Sequence, residues 1–114
     1  MSPNTIVRNE LLYAAAGESA LTSVDVREIQ FEAGRQTGPH LHPCHISGYI
    51  VEGTARFKIE GQPARQLPAG LAFHEPAETV ITGFSNASTS EPMTFAAFYL
   101  LHGGQELIPM LETP

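Results

Sequence analysis

The sequence predicts an all-β domain, a sandwich or barrel of short strands, and three observations carry that expectation. Residues 54–60, TARFKIE, alternate strictly, with Ala55, Phe57 and Ile59 on one face and Thr54, Arg56, Lys58 and Glu60 on the other, as in a half-buried strand. Turn formers recur at short intervals, at Gly34, Gly38-Pro39, Gly53, Gly61 to Pro63, Pro68 to Gly70, Pro76, Gly83 and Gly103-Gly104. Two further runs, Ile46 to Val51 and Thr94 to Leu101, are apolar on both faces. Each therefore needs two covers, one being the core and the other a second subunit.

In chain order, ELLYAAA (residues 10–16) is the one credible competitor for a helix, because Leu and Ala favour it. In so β-rich a chain the segment reads as a strand over about residues 8–16. TSVDVREIQFE alternates through Val24 and Val26 and resumes out of phase at Ile29 and Phe31, so one extra residue in a bulge near Arg27 to Glu28 is expected. Residues 34–53, GRQTGPHLHPCHISGYIVEG, then hold three of the five histidines within six positions. At i and i+2 of an extended segment, His40 and His42 leave the same face about 7 Å apart at Cα and can converge on one ion. The competing reading is two ordinary histidines, one at a turn and one half exposed. Pro43 interrupts the ladder and leaves the direction of His45 open. Glu106 to Pro114 forms a short Pro-bounded tail, and no internal repeat or low-complexity segment is present.

At 114 residues and 42% hydrophobic, the chain fits one domain with a modest core. Net charge is −6 and only six residues are basic, so no stripe exists to neutralise phosphates and nucleic acid is excluded as a partner. The single cysteine, Cys44, rules out an internal disulfide and suits a reducing compartment; it reads as a small buried hydrophobe. The early apolar run Leu11 to Ala16 is too short for a membrane span or a signal core and lacks a basic lead-in, which predicts a cytoplasmic protein with no membrane partner.

Gly34, His40-x-His42 and then Gly48-Tyr49-Ile50-Val51-Glu52-Gly53 resemble the first motif of the cupin superfamily, and Leu67 to Pro76, LPAGLAFHEP, resembles the lead-in to its second. The similarity spans about residues 22–101. It implies a double-stranded β-helix, or jelly roll, as a single domain over residues 1–114, with the strand at about 8–16 exchanged in a homodimer. It further implies a pocket for a small-molecule ligand and one divalent transition metal, Fe, Mn, Ni or Zn. Such members supply four ligands, two from the His-x-His pair, a Glu shortly after, and a His in the second motif. Here the last two positions fall on Ile46 and Ile81.

A retained site then needs another donor, from His74, His45, His102, Cys44, Glu75 or Glu78. His74 is the first choice if the strand Leu71 to Glu75 turns Ala72 and His74 inward, giving a metal set of His40, His42 and His74. His102 reads as a surface turn residue, and Glu52 and Glu75 as solvated edge residues. The expected pocket includes Ile46, Ile50, Phe57, Phe73, Ile81, His45 and Phe95. Three functions follow: a metal-dependent enzyme, dioxygenase- or isomerase-like, on a small polar substrate; a metal-free binding or sensing module; or a dimerising scaffold with a filled pocket.

Overall fold

The computed structural model describes residues 6–15 and 20–103. Eight strands follow one another without a helix among the described residues: β1 (Ser23–Phe31), β2 (Gln36–Thr37), β3 (His45–Glu52), β4 (Thr54–Ile59), β5 (Arg65–Pro68), β6 (Ala72–Glu75), β7 (Ile81–Asn86) and β8 (Met93–Leu101). They make two four-stranded sheets, ordered β1-β8-β3-β6 and β2-β7-β4-β5, and every pairing is antiparallel. The chain passes repeatedly from one sheet to the other, and this is the jelly-roll architecture.

Period-two alternation decides what lies between the sheets. In β8, Met93, Phe95, Ala97, Tyr99 and Leu101 are buried while the residues between them are partly covered. In β4, Ala55 and Phe57 point inward, as the alternation of TARFKIE predicts. Phe57, Phe73, Phe84 and Phe95 interlock between the sheets with ring centroids 4.9 to 6.1 Å apart, mostly tilted or edge-on, the arrangement that aromatic quadrupoles favour.

β1 departs from expectation. It pairs with β8 in unbroken register from Ser23↔Leu101 to Phe31↔Met93, with no bulge at Arg27 to Glu28. The phase slip arises because the apolar residues change faces along one straight strand. Val24 and Val26 lie on the outer face, 48% and 56% exposed, whereas Ile29 and Phe31 pack against the core. Register shifts occur instead in β3 between Ile50 and Glu52, and where β7 meets Lys58 and Ile59 of β4.

The outer face of β3 is also less covered than its composition suggests, with Tyr49 and Val51 exposed. Residues 6–15 form no strand and are exposed, because a strand needs a ladder partner and this segment finds none among the described residues. Ala16 and the tail at 106–114 lie outside the described residues. Among the described residues, no helix is long and apolar enough to cross a membrane.

Candidate metal centre

The loop between β2 and β3 carries the two histidines, and backbone bonding fixes where it runs. His40 N–H donates to Ile81 O at 3.0 Å and Ile81 N–H to His40 O at 2.8 Å, so His40 continues the line of β2 alongside β7. Two residues on, His42 O accepts from Glu78 N–H at 2.9 Å. The i, i+2 spacing then does what extended geometry requires: the rings of His40 and His42 stand on one side, centroids 5.0 Å apart and 70° between planes.

Opposite them is Glu75, the last residue of β6, buried to 7% exposure like His42. Glu75 Oε1 lies 3.5 Å from His40 Nε2. One ligand atom from each of His40, His42 and Glu75 lies within 4.8 Å of the other two. These groups face a cavity of about 190 Å³ between the sheets, bordered also by Tyr99, Ile46, Phe73 and Phe95.

The electrostatics of the two rings differ. Burial works to lower the pKa of His40, but hydrogen bonds to Glu75 and to Gly38 O, together with the Glu75 charge, outweigh it and leave the pKa raised above its ordinary 6.5. For His42 burial dominates and the pKa is lowered, the attraction of Glu75 being insufficient and His40 opposing a second charge nearby. Tyr99, packed edge-on against His42, is pushed up to about 12, chiefly by burial and then by the neighbouring Glu75. It is a neutral phenol at physiological pH and can donate a hydrogen bond into the cavity.

His74 and His45 are placed elsewhere. In β6 it is Phe73 and Glu75 that point inward, so Ala72 and His74 take the outer face. His45, on β3 beside it, also turns outward, and the two rings stack 5.1 Å apart with His45 Nδ1 and His74 Nε2 at 3.0 Å. The phase expected for Leu71 to Glu75 is thus inverted. Side chains at adjacent strand positions cannot share a face, and the large Phe73 ring takes the core. Glu75, expected at a solvated edge, goes inward with it.

Ile46, Phe73 and Phe95 border the cavity, whereas Ile50, Phe57 and Ile81 are buried in the core without bordering it. His102 bonds Ala20 O at 2.8 Å and does not border the cavity. Cys44 is fully buried and its thiol pKa is raised, mainly by that burial, so the sulfur stays protonated.

The residues present suit a divalent transition metal. His40 Nδ1 lies 2.9 Å from Gly38 O, so Nδ1–H donates to the carbonyl and Nε2, which faces Glu75, is the nitrogen a metal would take on loss of its proton. Ligating histidines are held by such outer-shell bonds. His42 Nδ1 is buried with no hydrogen-bond partner, the condition of a ring whose nitrogen is available as a ligand. Two imidazoles and one carboxylate leave coordination positions open for substrate, as in catalytic zinc sites and the facial triad of non-haem iron. Ile46, where the sequence motif leads one to expect a glutamate, is the ladder partner of Glu75. The carboxylate therefore stands one strand across from its expected position.

A family model described as the cupin domain matches residues 27–102. Dimethylsulfoniopropionate lyase DddQ from Ruegeria pomeroyi is 30% identical over 104 residues, which make up 90% of this chain and 49% of that protein, so the chain spans about half the length of this curated relative. The crystal structure of DddQ superposes with a TM-score of 0.62 at 24% identity, covering 74% of this chain and 40% of that one. KdgF from a Halomonas species superposes with a TM-score of 0.58 at 27% identity, covering 73% and 74% of the two chains.

Proposed function

The chain belongs to the cupin domain family, and from that premise we propose that its pocket holds one divalent metal on His40, His42 and Glu75 and uses it to transform a small molecule. The observation that carries this is the convergence of three buried ligand atoms, one on each residue, on a cavity large enough for a small substrate. When bound, such an ion supplies Lewis acidity at the part of the cavity that His40, His42 and Glu75 line. Around it, Tyr99 donates a hydrogen bond, the Gly38 carbonyl holds His40 in orientation, and Phe73 and Phe95 keep water from one side of the pocket.

The likeness to a dimethylsulfoniopropionate lyase supports that compound as the first substrate to test. Its elimination breaks a C–H bond beside the carboxylate and the C–S bond, giving acrylate, dimethyl sulfide and a proton. Metal-loaded protein should release dimethyl sulfide, detected by gas chromatography. Full metal occupancy with no release would remove this substrate while leaving the metal site standing.

A second reading, a metal-free binding module, has one observation in its favour: His40 and Glu75 already form an ion pair with each other. The two readings separate by pH. A metal must displace the proton that His40 shares with Glu75, and the raised pKa of His40 means that this proton is held above pH 6.5. Zinc affinity should therefore rise about tenfold per pH unit below the His40 pKa and level off above it, with one proton released per ion. His42, lowered by burial, adds a second proton only in more acidic solution. Calorimetry in buffers of different ionisation enthalpy reads both quantities; a pH-independent zinc affinity would remove His40 from the ligand set, and no zinc binding at any pH would favour the metal-free module.

A further inference from the structure

The cavity lining holds one charged group that the metal reading does not use. That reading takes His40, His42 and Glu75, with Tyr99 packed against His42. Arg35 borders the cavity as well and extends onto the adjoining surface depression beside Phe31, Glu32 and Pro92. Arg35 and His40 are five residues apart, at most about 18 Å at Cα in an extended chain. Apolar side chains also border the cavity: Phe31 meets Phe84 and Phe95 edge-on at 5.9 and 5.4 Å, and Phe84 meets Phe95 at 4.9 Å.

The charge of Arg35 is not paired among the described residues. Nη1 donates to Gln36 O at 2.7 Å, which takes one of five guanidinium donors. Among the described residues no carboxylate lies within ion-pair distance of it, although the chain has twelve acids against six bases. A planar fork with free donors at the rim of an apolar cavity is the arrangement that grips a carboxylate through two parallel bonds. A cavity of about 150 Å³ takes a benzene ring, so the 190 Å³ here suits a ligand of about eight non-hydrogen atoms.

We propose that the pocket takes a small organic monocarboxylate, its carboxylate held by Arg35, its apolar body against Phe31, Phe84 and Phe95, and its far end toward His40 and Glu75. This deepens the pocket reading given above by naming the ligand class, and it stands on Arg35 and the aromatic wall whether or not a metal is bound.

The test is calorimetric titration of chelator-treated and of zinc-loaded protein with hexanoate, hexan-1-ol and hexylamine, which share one chain and differ in head group. Hexanoate should bind both forms, at least about tenfold more tightly than the alcohol, and the amine should not bind. Arg35→Gln should bring hexanoate down to the level of the alcohol. Arg35 is exposed, so its replacement leaves the core intact and the melting temperature serves as a control. The proposal is overturned if Arg35→Gln leaves hexanoate affinity unchanged, if the alcohol binds equally well, if hexanoate binds only with zinc present, or if none of the three binds. Arg35-dependent binding in protein that takes up no zinc would refute the metal reading and leave this one standing.

Discussion

Glu75→Gln should abolish stoichiometric binding of zinc or manganese while the domain stays folded. The change keeps side-chain volume and removes the anion. What remains is two imidazoles, one of them already committed through Nδ1 to Gly38 O, and a neutral amide that is a poor ligand. Loss of an outer-shell partner alone typically weakens a metal about 10- to 100-fold, so loss of this ligand should exceed about a hundredfold. The same substitution removes the hydrogen bond and the charge that raise the pKa of His40, and burial then acts unopposed except by Gly38. The His40 titration followed by NMR should move downward. His74→Ala is the matched control: His74 lies one residue away on the outer face, and its loss should leave zinc affinity unchanged. Equal losses from both variants would mean that the effect travels through β6 and not through a ligand.

Gly48→Ala should destabilise the domain more than its size suggests. Gly48 is an inward-facing position of β3, and a Cβ there would run into the ring of Phe73, meeting Cζ and both Cε atoms. That ring cannot retreat freely, because Phe57, Phe84 and Phe95 surround it at centroid distances of 5.5, 5.1 and 6.1 Å. Overpacking of this kind costs about 1–3 kcal/mol. In a domain of this size each kcal/mol lowers the melting temperature by about 4–8 °C. Gly83→Ala, where a Cβ would meet nothing within 4 Å, should be close to neutral. Adding Phe73→Leu to Gly48→Ala should recover part of the loss if the clash is its cause. Because Phe73 borders the cavity, ligand affinity in the single variant should fall together with stability.

The strands were legible in the sequence wherever alternation ran long enough to set a phase. The six residues of β4 declare their inner face through Ala55 and Phe57, and the His-x-His pair declares its own convergence because i, i+2 needs no long-range information. β1 shows the limit of that approach. Its apolar residues split between two faces, and only the register with β8 reveals that the strand is straight. In β6, four residues are too few to set a phase, so the sequence alone allows either His74 or Glu75 to face inward. Parity held the better clue, since a large ring such as Phe73 claims the core and takes Glu75 with it. The juxtaposition of Glu75 with the two histidines depends on β6 lying beside β3, a pairing of residues about thirty positions apart that no local pattern encodes.

The most direct test of the metal centre is a crystal structure of manganese- or zinc-loaded protein with data collected at the metal absorption edge. The arrangement predicts a single anomalous peak bonded by one nitrogen each of His40 and His42 and by a Glu75 oxygen, at about 2.0–2.2 Å. A peak at the outward-facing His45 and His74 pair, or none in crystals grown at saturating metal, would contradict it.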